Sequence, residues 1–177
     1  MTFQIRHFRS EDYDAITAIY NEVYSEYPST VNEIRFEDEK REKKCKFQRF
    51  VVEQDSKIVA AGLHDQRIWS FHPHIFDIEL VVPKSLRSSG LPEQLYDHIV
   101  NELQQYAPKK LRTFFREDYE GFREFFESRG FVTTMKNWES RLDVKNFDIT
   151  PYRDWLSELE QSNIQLKPLS AIEQSEA

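Results

Sequence analysis

The chain has 177 residues, 39% of them hydrophobic and 31% charged, with a net charge of -7 at pH 7. That length allows one domain of ordinary size with a short appendage and excludes two full domains. The acidic balance opposes a nucleic-acid backbone unless a local basic patch exists, and 14 Phe, 8 Tyr and 3 Trp argue for a packed interior against disorder.

The single cysteine, Cys45, excludes an internal disulfide and reads as a structural thiol. No leader-like start and no run of 18 apolar residues is present. The expectation is therefore a cytoplasmic protein without membrane or nucleic-acid partners. The one dense charge run, Phe36 to Lys46, mixes both signs as a solvated helix face does.

In chain order, "FQIRHF" (Phe3 to Phe8) alternates as a half-buried strand, and Ser10 offers a hydroxyl cap to a helix in which Tyr13, Ile16, Ile19, Tyr20 and Val23 share a face. Pro28 stops that helix. A second, charged helix is predicted over Val31 to Lys43, and "FQRFVVEQDSKIVAAGLHDQRI" reads as two strands joined at Asp55 and Ser56. Ile75 to Val82 is a further strand, Leu91 to Tyr106 an amphipathic helix, and "LRTFF" a strand. "YEGFREFFESRG" is a short helix closed by Gly130, and "FVTTMKNWESRLDV" is expected to supply a last strand or pair. This order is mixed α/β and requires at least one parallel strand pair across the helix that starts at Leu91. After Asp148 the pattern changes to one helix, Pro151 to Gln161, and a polar end.

A strand that feeds a basic, glycine-containing loop and then a helix makes an anion site, because the first-turn amides and the helix dipole both favour negative charge. Arg87, Ser88, Ser89, Gly90 and Leu91 form that cradle. Pro92 removes one amide but suits a first helical turn, where its N–H has no intrahelical partner.

The motif Arg87-x-x-Gly90-x-Pro92 after "VVP", with Leu95 one turn into the helix, stands before a later "FFESRGF". With the element order, it resembles the GNAT superfamily of acyl-CoA-dependent N-acetyltransferases over about Phe3 to Val144. The resemblance implies an α/β (α+β) fold, a mixed central sheet flanked by helices. It implies acetyl-CoA as cosubstrate and no metal. The pyrophosphate would sit on the Arg87 to Leu91 loop, and pantetheine would pair with Leu80, Val81 and Val82 where the strand opens at a bulge. Tyr119 stands where members often place an Asn beside CoA. Phe126 stands where many have a Tyr that protonates the departing thiolate, and Pro92 replaces Gly or Ala. The tail from Asn137 looks like the junction of tandem GNAT proteins. The chain then divides into a GNAT-like domain, 1–148, and a helix and tail, 149–177, that start a second unit.

Transfer to an amine needs a group that takes the amine proton. Glu79 is the candidate base, on the pantetheine strand with Asp77 on its own face, where two carboxylates could raise one another's pKa. His72, His74 and His64 invite a metal reading, but no Cys or carboxylate completes a set. A loop bordering the acceptor pocket is preferred, and Trp69, Phe71 and Phe76 either line an apolar acceptor cleft or, as aromatics at such spacing more often do, belong to the core. Two functions stay open: acetyl transfer to a small-molecule or peptide amine, and a catalytically degenerate domain serving as a CoA-binding or interaction module. The acceptor and the oligomeric state, a homodimer among the options, are not specified by these patterns.

Overall fold

A computed structural model of the chain describes residues 2–119, 121–162, 164 and 167–172. Strand β1 (Gln4–His7) leads through a 3-10 turn into helix α1 (Tyr13–Val23), followed by α2 (Val31–Glu39). The hairpin β2 (Gln48–Gln54) and β3 (Lys57–Asp65) precedes β4 (Ile75–Val81), α3 (Leu91–Leu103), β5 (Lys110–Arg112) and α4 (Phe122–Glu127). The strands form one sheet in the order β1-β2-β3-β4-β5. The first three pairings are antiparallel and β4–β5 is parallel, so α3 supplies the crossover.

Local sequence accounts for several of these elements. Asp55 and Ser56 take φ values of 50° and 61°, the left-handed pair that a two-residue hairpin turn requires. Thr30 and Glu33 form a reciprocal capping box at the start of α2. The cap expected from Ser10 is not used, since Ser10 lies inside the 3-10 turn Ser10–Asp12. Instead the Asp12 carboxylate accepts the Arg9 amide at 2.8 Å and both Nη atoms of Arg6, at 2.7 and 2.9 Å. A charge-assisted fork outweighs a neutral hydroxyl cap, and the Arg6 hydrogen bond holds the Asp12 carboxyl below its usual range.

Side-chain alternation divides the sheet into two cores. Val51, Ala61 and Val81 pack with Tyr13, Ile16, Ile19 and Ile34 of α1 and α2. Phe50, Val52, Ala60, Phe76, Ile78 and Leu80 pack on the other face with Leu91, Leu95, Ile99 and Leu103 of α3 and Phe122 and Phe126 of α4. Gly62 lets α3 approach closely, since a Cβ there would lie 2.9 Å from Ile99 and 3.1 Å from both Leu95 and the Glu79 carbonyl.

The strand or pair expected from "FVTTMKNWESRLDV" is not formed among the described residues: no ladder runs through 131–143. A strand needs a neighbour's N–H and C=O groups, and β5, three residues long, pairs only with β4. Val132, Met135 and Trp138 are accordingly exposed. The chain divides into compact units at Met1–Val132 and Thr133–Ala177. In the second, a 3-10 turn (Thr150–Tyr152) opens α5 (Arg153–Gln161), as the sequence predicts, with Phe147 stacked on Tyr152, and α6 (Leu169–Ile172) follows. No helix among the described residues is long and apolar enough to cross a membrane.

Candidate functional site

Strand β4 is the axis of the site. Its residues 77, 79 and 81 point to the α1 and α2 face, and Val81 is buried there while Glu79 and Asp77 remain partly exposed. Glu79 accepts the hydroxyl of Tyr20 on Oε2 at 2.9 Å and that of Tyr24 on Oε1 at 2.8 Å. Tyr20 and Tyr24 are one helical turn apart at the C-terminal end of α1, so one helix face delivers both phenols. Burial, reinforced by the Glu79 charge, pushes both phenols above their ordinary titration range, so they act as donors. A carboxylate offers about four lone-pair positions, so Glu79 keeps acceptor capacity beyond its two phenols.

Behind Tyr20 lies a charged relay. Arg49, buried on β2, donates from Nη1 to the Tyr20 hydroxyl at 2.8 Å and from Nη2 to Asp38 at 3.0 Å. Arg41 reaches Asp65 at 2.8 Å. Part of the Phe36 to Lys46 charge run therefore turns inward onto the sheet, where a wholly solvated face was expected.

Asp77 does not act as a free like-charge neighbour of Glu79. Arg67 and Arg112 both grip it side-on through Nε and Nη2, at 2.8 to 3.0 Å, so its charge is more than matched. The expectation that the two carboxylates perturb one another loses its basis.

Toward its C-terminal end β4 loses its parallel neighbour. The β5 ladder covers Ile75, Phe76 and Asp77 only, leaving one edge of Ile78 to Val82 without a partner strand. The opening comes from the brevity of β5. No bulge occurs in β4, which stays in register with β3, and the irregularity in the sheet falls at Val52 and Glu53 of β2. Leu80, Val81 and Val82 are buried along this stretch, and the Val82 carbonyl accepts Arg87 Nε at 3.2 Å.

The loop after β4 leads to α3. Gly90 caps the helix at φ 79°, Leu91 is its first residue, and Pro92 follows, buried in the first turn. Ser89 donates its hydroxyl to the Leu86 carbonyl at 2.7 Å and accepts the Leu91 amide at 3.3 Å. The amides of Ser88, Gly90 and Glu93 have no hydrogen-bond partner among the described residues. A cavity of about 430 Å³ adjoins them, lined by Lys84, Arg87, Ser88, Pro92, Phe122, Phe125 and Arg129 among others. Cationic side chains beside unpaired amides at the positive end of a helix dipole fit a diphosphate group.

Tyr119 bridges loop and helix: its hydroxyl donates to the Val23 carbonyl at 3.0 Å, its ring lies 5.8 Å from that of Tyr24, and the Arg87 guanidinium sits 4.8 Å over it. Its hydroxyl proton is therefore committed to Val23, its lone pairs remain able to accept, and its ring seats Arg87. Phe126 is buried in an aromatic cluster with Phe115, Phe122, Phe125 and Phe131. Phe76 belongs to the α3 face and does not line the acceptor side, while Trp69 and Phe71 are exposed on the loop. His64 also faces α3, and the His74 amide donates to His72 Nδ1, so the histidines do not converge. Among the described residues no three potential metal ligands cluster.

Sequence reasoning missed Tyr20, Tyr24, Arg49 and Arg129. The only local signal was Tyr20 among the residues that share the face of its helix, and Tyr24 carried none.

No family model matches the sequence, and no curated protein sequence matches it. The three-dimensional arrangement does find counterparts. An N-acetyltransferase from Staphylococcus aureus Mu50 superposes with a TM-score of 0.62 at 22% identity, over 76% of this chain and 86% of that one. AAC(6')-Iy, in complex with the bisubstrate analogue CoA-S-monomethyl-acetylneamine, superposes at 0.62 and 12% identity, over 80% and 99%. This chain has the GNAT acetyltransferase fold. The GNAT fold alone does not assign a reaction, for a transcriptional regulator from Bacillus halodurans C-125 superposes as well, at 0.61 and 14% identity over 80% and 100%. Within the GNAT fold, this chain's Glu79, its two phenols and the cationic cavity are the features from which chemistry must be argued.

Proposed function

We propose that this GNAT-fold domain transfers an acetyl group from acetyl-CoA to a primary amine. The observation that carries the reading is Glu79 of β4, held by two phenols at the end of α1 and lying on the unpaired edge that leads toward the cationic cavity. Acetyl-CoA supplies an activated thioester. Arg87, Arg129, Lys84 and the amides of Ser88 and Gly90 would hold its diphosphate, and the open edge of Leu80 to Val82 would hold its pantetheine arm and orient the carbonyl.

Glu79 accepts a proton from the amine, directly or through one water, as nitrogen bonds to the acyl carbon and the carbon–sulfur bond breaks. The sulfur needs a proton, and Phe126 has none to give. Tyr24 would supply it, a role supported by its bond to Glu79 and its ring contact with Tyr119. Glu79 then returns the amine's proton to Tyr24, so the relay ends in its starting state. Arg49 steadies Tyr20 and thereby the orientation of Glu79.

The test is thiol release from acetyl-CoA with a panel of primary amines, comparing the protein with Glu79→Gln. Removal of an acid–base group is expected to lower kcat by about 10²- to 10⁴-fold with CoA affinity retained. No turnover in either protein, together with CoA binding that raises the melting temperature, would instead select the second reading: a degenerate domain that binds CoA or a partner. That reading is favoured by the buried, protonless Phe126 and by Pro92, whose missing amide is worth about 10- to 150-fold in affinity for a charged group.

A further inference from the structure

The floor of the α1 and α2 face carries four carboxylates and four guanidiniums, arranged asymmetrically. Asp38 and Asp65 are matched by Arg49 and Arg41. Asp77, at one end of the pair on β4 and directly opposite Asp65 of β3, alone receives both Arg67 and Arg112, which leaves that end with one excess positive charge. Glu79, two residues further along β4, has only neutral phenols as direct partners and keeps its negative charge unmatched at contact. The two ends thus form a fixed dipole, positive at Asp77 and negative at Glu79.

The excess charge is available to a ligand. Each guanidinium uses Nε and Nη2 on Asp77, and Nη1 of both has no partner among the described residues. The side chains of Arg67 and Arg112 are 36% and 24% exposed, so solvent reaches both. Such a floor offers nothing to a polycation, whose extra charges would meet paired carboxylates. It suits a zwitterion: the ammonium at Glu79 and a carboxylate on the free Nη1 groups.

Asp77, which the two guanidiniums grip, and Glu79 lie two residues apart on one face of β4. Side chains two residues apart on one face are separated by about 6.6 Å, and an extended dipeptide spans about 7 Å. Resting on the acyl-transfer reading above, we infer that the acceptor is an amine carrying a carboxylate about two residue lengths away, as a free dipeptide does, with Arg67 and Arg112 as the carboxylate-binding residues. A carboxylate on paired guanidiniums forms charge-assisted hydrogen bonds that fix direction as well as distance.

The test compares glycylglycine with glycylglycinamide, which keeps the amine and lacks the charge, as acceptors with acetyl-CoA. The wild-type kcat/KM is expected to favour glycylglycine by about 10- to 150-fold, mainly through KM. In Arg67→Gln the preference should collapse to below about threefold, the loss falling mainly on glycylglycine, and Arg67→Lys should restore part of it. Equal use of both peptides by the wild type overturns the inference, as does an equal loss for both in Arg67→Gln, which would mark a structural role for the clamp. Should neither peptide be acetylated, binding decides separately from catalysis. Titration with each peptide, read by the Nε–H nuclear magnetic resonance signals of Arg67 and Arg112, should show glycylglycine binding that is absent for the amide and lost in Arg67→Gln. No preference in that titration overturns the inference whether or not the domain is an enzyme.

Discussion

The Tyr24 hydroxyl donates to Oε1 of Glu79 at 2.8 Å across 55 residues of sequence, and the ring behind that hydroxyl lies against Tyr119. One phenol therefore touches the proposed base and the ring that seats Arg87. Tyr24→Phe keeps the ring and removes only the hydroxyl. Its kcat for acetyl transfer should fall by about 10²-fold, while the Kd for CoA stays within about twofold. Tyr119→Phe, which loses a bond only to the Val23 carbonyl, should leave kcat within about threefold. Steady-state rates and calorimetric titration of both variants check this, and equal effects would remove Tyr24 from the relay.

Arg87 joins three features: its Nε reaches the Val82 carbonyl, its guanidinium covers Tyr119 and Phe122, and it lines the cavity. Arg87→Ala should weaken CoA by about 10- to 100-fold, the worth of one charge-assisted contact. Its cation–π contacts contribute about 0.5–1 kcal/mol to stability, so the melting temperature should shift little. Calorimetry at low and high salt distinguishes the cases, since the loss should shrink as salt screens the phosphate.

Gly62 is the point at which α3 touches the sheet. In Gly62→Ala the new methyl meets Ile99 at 2.9 Å and the Glu79 carbonyl at 3.1 Å, and backbone cannot rotate away as a side chain can. Overpacking of this kind costs about 1–3 kcal/mol, measurable as a lower urea midpoint. Because the displaced carbonyl belongs to Glu79, activity measured below the unfolding transition should fall too.

His64 is 2% exposed between Phe50, Phe76 and Tyr106, and its Nδ1 has no hydrogen-bond partner. Burial, with a smaller contribution from His7 on β1, lowers its pKa to about 4. His98 on α3, which also packs on Phe50, is lowered by burial as well. A base with a depressed folded pKa binds fewer protons in the native state than in the unfolded state, so stability is present above about pH 6.5 and is lost as pH falls toward 4. Between pH 7.5 and 5.0 His64 should account for about 2 kcal/mol of lost stability. Urea unfolding of wild type and His64→Leu at the two pH values checks it, the variant being expected to lose correspondingly less.

Local physical chemistry made part of this molecule legible. The hairpin at Asp55 and Ser56 follows from alternation on either side of two residues that tolerate left-handed backbone. The helix from Leu91 follows from its apolar stripe and the permissive Gly90 before it. The unpaired amides of the loop before α3 were readable for the same reason, since they are a property of any helix start. Where local and tertiary preferences disagreed, the local reading failed. Ser10 lost the cap to Asp12 because Arg6, on the strand just before it and anchored by Glu53 of β2, reaches the carboxylate, and "FVTTMKNWESRLDV" alternates like a strand but finds no ladder among the described residues.

The sequence by itself determined the order of elements, the two-faced pattern of the strands and the position of Glu79 on β4. Only the tertiary structure decided what surrounds that carboxylate. Tyr20 and Tyr24 are on α1, Arg49 on β2, and Arg67 and Arg112 on either side of Asp77, at separations where no periodicity constrains side chains to meet. Their meeting depends on strand register, since a slip of one residue would turn Glu79 and Asp77 to the α3 core. The register is fixed by apolar side chains far from the chemistry, among them Phe50, Ile78 and Leu80. That is why Glu79 could be placed on β4 from sequence while the phenols around it and the arginines on Asp77 could not.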